Sequence, residues 1–258
     1  MNKLFNLDGK VAVITGASSG LGADAARAYA ESGANVALIA RRKEKLENLA
    51  EELKKLGKDA IAVKCDVSDE ESVKNAINEI IKHYGKIDIL LNNAGVATRG
   101  SVEELSVEDF DRTMDINVKG IYLMCKYTVP HMKENNYGKI VNISSVNAII
   151  ADKSPLLARH SYNASKAAVK GLTLGMAATY MQDNITVNSI GPALFETEMT
   201  ANTLFANEKF MGMYNALNPA SRPAKKGELN GTVIYLSSEA SSYVTGQYIV
   251  VDGGMALI

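Results

Sequence analysis

Short, mostly apolar runs alternate with amphipathic helical stretches along nearly the whole chain. Val11-Ala-Val-Ile14 is the first run. Asn35-Val-Ala-Leu-Ile39, Ala60-Ile-Ala-Val-Lys64, Ile87-Asp-Ile-Leu-Leu91, Lys139-Ile-Val-Asn-Ile143, Ile185-Thr-Val-Asn-Ser-Ile190 and Tyr248-Ile-Val-Val251 repeat the pattern. A strand with one wet face alternates polar and apolar residues, whereas a continuous apolar run is covered on both faces, as in a parallel sheet. Helical patterns fall between the runs, over 21–32, 43–56, 116–132, 164–181 and 227–236. Two more are predicted, one capped by Ser68 and reaching about Tyr84, the other opened by Ser106. This alternation predicts an α/β fold: a Rossmann-type, doubly wound sheet of about seven parallel strands with helices on both faces. No linker, repeat or low-complexity tract interrupts it, so residues 1–258 read as a single domain.

Composition narrows the function. Hydrophobic residues make up 47%, enough for a sizeable core, and the net charge is −1. A near-neutral chain offers no global attraction to nucleic acid or an anionic membrane. No apolar run reaches the roughly 18 residues of a membrane span. The first residues lack a signal-peptide pattern, which makes the cytoplasm the expected location. Cys65 and Cys125 are far apart and read as two buried thiols. His83, His131 and His160 show no ligand spacing, and no metal is expected.

Three motifs carry chemistry. Thr15-Gly16-Ala-Ser-Ser-Gly20-Leu-Gly22 follows the first apolar run directly. Glycines there let the backbone approach a pyrophosphate, and the following helix start presents free N–H groups. Gly16, Ser18, Ser19, Gly20, Leu21 and Gly22 are therefore candidate dinucleotide ligands; the alternative is a plain strand-to-helix turn that needs glycine. The second strand ends Ile39-Ala40-Arg41-Arg42, without the acid that would bind ribose hydroxyls. Arg41 and Arg42 offer planar forks to a 2′-phosphate, which favours NADP over NAD; the alternative is that they merely begin an exposed charged helix. Tyr162 and Lys166 lie four residues apart. On a helix that places both on one face, where an ammonium would pull a phenol down from its usual pKa of about 10.

With Asn92-Asn-Ala-Gly95 and Ser144-Ser145 between the glycine turn and the Tyr/Lys pair, the chain resembles the short-chain dehydrogenase/reductases over essentially its whole length, through Val251-Asp-Gly-Gly254. The resemblance implies a cofactor-binding half over about 1–138 and a catalytic and substrate half over about 139–258. It makes Tyr162 the catalytic acid/base, with Lys166 lowering its pKa and binding the nicotinamide ribose. Ser145 becomes the hydrogen-bond donor to the substrate oxygen, and Asn117 the holder of a relay water through its backbone carbonyl. Asp66 and Val67 match the adenine pocket, Asn93, Ala94 and Gly95 the segment lining the cofactor, and Pro192 and Thr197 the nicotinamide end. Ser145 lies 17 residues before Tyr162, a longer interval than the family's usual one, and Ser144 is the alternative. Ala193 replaces the usual glycine after Pro192, and Ser19 stands where many NADP-using members carry a basic residue.

The resemblance implies interconversion of a secondary alcohol and a ketone. Arg159 and His160, in the lengthened segment before Tyr162, are candidate substrate contacts, and Arg159 suits a carboxylate. Residues 194–222, with Phe195, Met199, Leu204, Phe205, Phe210, Met211, Met213 and Tyr214, correspond to the family's substrate lid. They either line an apolar pocket or pack the lid onto the body or a neighbouring subunit. The stretches 160–166 and 218–223 resemble gluconate 5-dehydrogenase-like members. A sugar acid such as gluconate/5-ketogluconate is thus the first expectation. A 3-oxoacyl-carrier-protein reductase and a hydroxysteroid dehydrogenase are the enzyme alternatives, and a non-catalytic dinucleotide sensor is the alternative of another class. The resemblance also implies a homotetramer, and the apolar ending Met255-Ala-Leu-Ile258 fits either burial in an interface or a frayed tail.

Overall fold

All seven apolar runs become strands of one sheet, and every neighbouring pair runs parallel. They are β1 (Val11–Thr15), β2 (Asn35–Ala40), β3 (Ala60–Lys64), β4 (Ile89–Asn92), β5 (Gly138–Ile143), β6 (Ile185–Pro192) and β7 (Tyr248–Val251). Their order is β3-β2-β1-β4-β5-β6-β7. The computed structural model describes residues 3–198 and 200–257. Met199 of the Met/Phe-rich stretch, Ile258 of the apolar ending and the first two residues lie outside the described residues.

The apolar runs lack alternation because both faces are covered. Ala12 and Ile14 of β1 and Val36 and Leu38 of β2 point into one core. There they meet α1 (Gly20–Glu31), α2 (Lys43–Lys54) and α8 (Asn230–Ser237) through Tyr29, Leu46, Leu53 and Val233. Val13, Ala37 and Ile39 point the opposite way. That second core holds α3 (Glu70–Tyr84), α5 (Gly120–Glu134) and α6 (His160–Tyr180) through Ile77, Ile80, Met124 and Val169. Two-sided burial is fullest at β1, β4, β5 and β6, while β3 and β7 at the sheet edges are only partly covered. The strand order reverses between β1 and β4, which opens a crevice above their carboxyl ends.

Several element boundaries differ from the sequence expectation, each for a local reason. Asp69, not Ser68, caps α3: its carboxylate accepts from the Ser72 amide at 2.6 Å, while the Ser68 hydroxyl donates to Asp66 at 2.6 Å. The π-helical turn Asp115–Lys119 precedes α5 and follows α4 (Val107–Met114), whose cap is Ser106 as expected. α6 starts at His160, four residues earlier than its small-residue pattern suggests. β6 continues through Pro192, whose missing N–H does no harm at a strand's last residue. In the stretch 194–222 a π-helical turn Ala201–Phe205 leads to α7 (Glu208–Leu217), capped by Asn207. Leu194, Leu204 and Tyr214 form a small core of their own, with Phe205, Phe210, Met211 and Met255 packed against it.

An Asp cap contributes about 1 kcal/mol by satisfying an otherwise orphaned helix N–H. Asp69→Ala should therefore lower the urea-unfolding free energy by that amount. An unchanged unfolding midpoint would show that the cap does not stabilise α3.

Candidate active site

The β1–α1 turn is pressed against the end of β4 so closely that only glycine fits. A Cβ on Gly22 would lie 2.4 Å from Asn93 Nδ2 and 2.5 Å from the Gly16 carbonyl oxygen. Gly16 itself has φ +67, in the left-handed region. Asn93 and Thr15 brace this contact. The Asn93 amide donates to the Thr15 carbonyl at 3.0 Å and to the Gly16 carbonyl at 3.3 Å. Thr15 Oγ1 accepts from the backbone N–H groups of Asn93 and Ala94 at 2.9 and 3.0 Å.

The brace shapes one end of a cavity of about 360 Å³ over the carboxyl ends of the strands. Gly16, Ser18, Ser19, Gly20, Leu21, Arg41, Arg42, Asp66, Val67, Asn93, Ala94, Gly95, Ser145, Tyr162, Lys166, Pro192 and Thr197 all line it. Gly22, Asn117, Arg159 and His160 are not among its lining. Gly22 lies against Gly16 and Asn93. Asn117 is fully buried, its side chain spent on the backbone of Val96 and on Ser165. It sits in the π-helical turn, where the helical hydrogen-bond pattern is disturbed.

The Tyr162/Lys166 pair shares a helix face at the cavity floor. Lys166 Nζ lies 5.7 Å from the Tyr162 ring centroid and donates to the Ile143 carbonyl at 2.9 Å. Burial holds Lys166 down to about 8. The phenol is not lowered as the spacing alone suggested: burial pushes Tyr162 above its ordinary value, and the Ser145 hydrogen bond and then the Arg159 charge pull the other way. The two serines divide. Ser144 is committed to the Lys166 carbonyl at 2.8 Å, whereas Ser145 faces Tyr162 and also accepts from the Asn147 amide at 3.2 Å.

Arg159 precedes α6, and its Nε is buried without a hydrogen-bond partner. Burial first and then the neighbouring Arg99 charge hold its guanidinium below the ordinary value. Its backbone is pinned to Gly100, which accepts from the His160 amide at 3.2 Å and donates to the Ala158 carbonyl at 2.9 Å. His160 is exposed and turned to the Val102 amide, from which Nδ1 accepts at 3.0 Å.

Three residues belong to the site without having been singled out in the sequence. Thr15 stands at the edge of the glycine motif and holds the Asn93 and Ala94 amides. Tyr248, in an apolar run with no signal of its own, donates its hydroxyl to the Ser145 carbonyl. It lies across Gly191, where a Cβ would meet the Tyr248 oxygen at 2.2 Å. Glu198 lines the cavity and pairs with Arg42. Among the described residues, no cluster of acidic, Cys and His groups suits a metal ion, and no helix is long and apolar enough to cross a membrane.

Known proteins resemble this chain in sequence and fold. A family profile described as enoyl-(acyl carrier protein) reductase matches residues 16–256. A gluconate 5-dehydrogenase of Gluconobacter oxydans is 39% identical over 254 residues, covering 98% of this chain and 97% of the relative. A 3-oxoacyl-(acyl-carrier-protein) reductase of Thermotoga maritima is 35% identical over 253 residues, 98% of this chain and 100% of the relative. The crystal structure of a gluconate 5-dehydrogenase from Burkholderia cenocepacia in complex with NADP and tartrate superposes with a TM-score of 0.94 at 36% identity, covering 99% of this chain and 98% of that one.

The Lys166 ammonium has a consequence for stability. Its folded pKa of about 8 lies below the ordinary lysine value of 10.5, so between these values the unfolded chain binds more protons and stability rises with pH. Urea unfolding should show wild type gaining on Lys166→Met across that window, by on the order of 3 kcal/mol at full extent. A constant difference between the two proteins would show that the ammonium is not desolvated.

Proposed function

The chain belongs to the short-chain dehydrogenase/reductase family of oxidoreductases, and on that footing we propose that it interconverts a secondary alcohol and a ketone on a sugar acid of the gluconate/5-ketogluconate kind, with NADP preferred over NAD. One observation carries this reading: Ser145, Tyr162 and Lys166 line the same cavity as the glycine turn and the two arginines that end β2.

The residues fit a dinucleotide. The glycine turn leaves no Cβ between a pyrophosphate and the backbone N–H groups at the start of α1, a 12-residue helix whose dipole favours an anion there. Asp66 and Val67 lie at the end assigned to the adenine. Burial works to raise the Asp66 carboxyl, but two Ser68 hydrogen bonds and the Arg41 charge outweigh it and keep it below the usual range. It thus stays an ionised acceptor. Arg41 and Arg42 would meet a 2′-phosphate, and Lys166 the nicotinamide ribose. A nicotinamide held beside Tyr162 and Lys166 would supply the hydride chemistry at the carbinol carbon of the substrate.

The chain's own residues manage the proton. Tyr162 Oη takes it from the alcohol in oxidation or gives it to the ketone oxygen in reduction, and Ser145 Oγ donates to that same oxygen. Burial keeps the phenol protonated at neutral pH, the state needed for reduction. Oxidation therefore strengthens towards alkaline pH. Lys166 donates to the Ile143 carbonyl at 2.9 Å and, while protonated, offsets part of the burial cost of a phenolate one helical turn away. The Asn117 backbone carbonyl is the holder of the relay water, as in the family.

The acidic substrate rests on charge. The Arg99 charge acts on Arg159 beside Tyr162, with the Tyr162 and Asp152 charges opposing it. An unpartnered, buried Arg159 Nε suits a carboxylate brought to that side. The apolar residues of 194–222 mostly pack on one another, and of them Phe195 lines the cavity. That weakens the case for a bulky apolar substrate. The acyl-carrier names among the relatives favour one second reading, a 3-oxoacyl-carrier-protein reductase.

We further propose a homotetramer, which exposed Tyr122 on α5 and Leu174 on α6 suit, and a reducing compartment such as the cytoplasm, which the unpaired, buried Cys65 and Cys125 suit.

Tyr162→Phe should reduce turnover by roughly 10²- to 10⁴-fold while leaving NADPH binding within about twofold. Unchanged turnover would remove Tyr162 from the chemistry. Oxidation of NADPH and NADH against 5-ketogluconate, an acetoacetyl thioester and an oxo-steroid decides the substrate class. The fastest rate is expected with the sugar acid and NADPH. A faster thioester would establish the second reading, and binding without turnover on any of them would favour a dinucleotide sensor.

A further inference from the structure

Glu198 stands where a phosphorylated dinucleotide would need only positive charge. Arg42 donates through Nη1 to its carboxylate at 2.8 Å, and Lys45 pairs with the other oxygen. The rest of the Arg42 fork is turned onto the phosphate turn: Nε and Nη2 reach Ser18 Oγ at 3.2 and 2.9 Å, and Nη2 reaches Ser19 Oγ at 2.9 Å. Arg42, Ser18, Ser19 and Glu198 all line the cavity. Lys45 and then Arg42 hold the Glu198 carboxyl down to about 2, so it is ionised at any physiological pH.

We propose that Glu198 is a specificity-determining residue, an internal competitor for the 2′-phosphate that weakens the binding of NADP(H) while sparing NAD(H). This deepens the cofactor reading above and rests on it. The two forms differ by one phosphate on the adenine ribose, carrying close to two negative charges at neutral pH. To meet Arg42 that phosphate must displace the Glu198 carboxylate or bind beside it, and like charges a few ångströms apart repel. A free 2′-hydroxyl carries no such conflict, so Arg42 can keep its pair with Glu198. The residue is tied to the segment after β6 through its neighbour: Thr197 packs on Gly20, whose Cβ would meet the Thr197 side chain at 3.1 Å, and its amide donates to Thr200 Oγ1 at 2.9 Å. Separating Glu198 from Arg42 therefore also bears on the segment that follows Pro192. The three charged groups are about half exposed, so the effect is modest and screened by salt.

The test is direct titration of purified protein with NADPH and with NADH, followed by nucleotide fluorescence, with no turnover involved. Glu198→Gln keeps the shape of the side chain and removes its charge. It should tighten NADPH binding by about three- to tenfold and leave NADH within about twofold, with the gap shrinking at high salt. An unchanged NADPH-to-NADH affinity ratio overturns the proposal, as does a parallel change for both nucleotides, which would mark a general loop effect. Arg42→Gln separates this from the cofactor reading: it should abolish the wild-type preference for NADPH. If Arg42→Gln leaves the ratio alone, the phosphate assignment of Arg42 fails, and the competitor role falls with it. If Arg42→Gln shifts the ratio and Glu198→Gln does not, the competitor role alone fails.

Discussion

The contact between the β1–α1 turn and the end of β4 sets the geometry of everything above the sheet. Thr15, Gly16 and Gly22 on one side and Asn93 on the other leave no room for a side chain at either glycine. The hydrogen-bonded partners are 77 or more residues apart in sequence. Their contact exists because β1 and β4 pair in register, Ile14 beside Leu91. Closing this junction in turn directs the start of α1 into the crevice where the strand order reverses. The remaining site residues come from the carboxyl ends of β2, β3, β5 and β6 and the segments that follow them, from β7, the π-helical turn and α6, all anchored to the same sheet.

Within that frame, burial and charge oppose each other at the reacting hydroxyl. Burial alone disfavours both a phenolate and an ammonium, and the structure shows both penalties, with Tyr162 raised and Lys166 lowered. Helical spacing brings the two within reach but does not aim them. The ammonium is directed at the Ile143 carbonyl, while Ser145 and Arg159 act on the phenol. Tyr248 supports this from the far strand by holding the Ser145 carbonyl across Gly191. The poise of the tyrosine is therefore a property of four segments, not of the motif Tyr-x-x-x-Lys.

Legibility in the sequence followed the range of the interactions. The seven strands were visible because two-sided burial writes itself as apolar runs, and the family motifs marked most of the residues that line the cavity. Local competition was harder to read. Ser68 and Asp69 are both good caps, and only the Ser68 bond to Asp66 leaves the task to Asp69. α6 starts at His160 because Gly100 pins the segment before it, and that pin also turns His160 to Val102, away from the cavity. Glu198 carried no motif. Its meaning arises from a side chain 156 positions away, which no periodicity reports.

The order of residues by itself determined a parallel, doubly wound sheet and the family to which it belongs, since apolar patterning and glycine requirements are local and survive in any one stretch of chain. The tertiary structure alone decided which serine meets the tyrosine, where the lysine points, and which carboxylate rests on Arg42. Those outcomes depend on distances between segments remote in sequence, and on the loss of water around them, which changes the strength and even the direction of each charge effect.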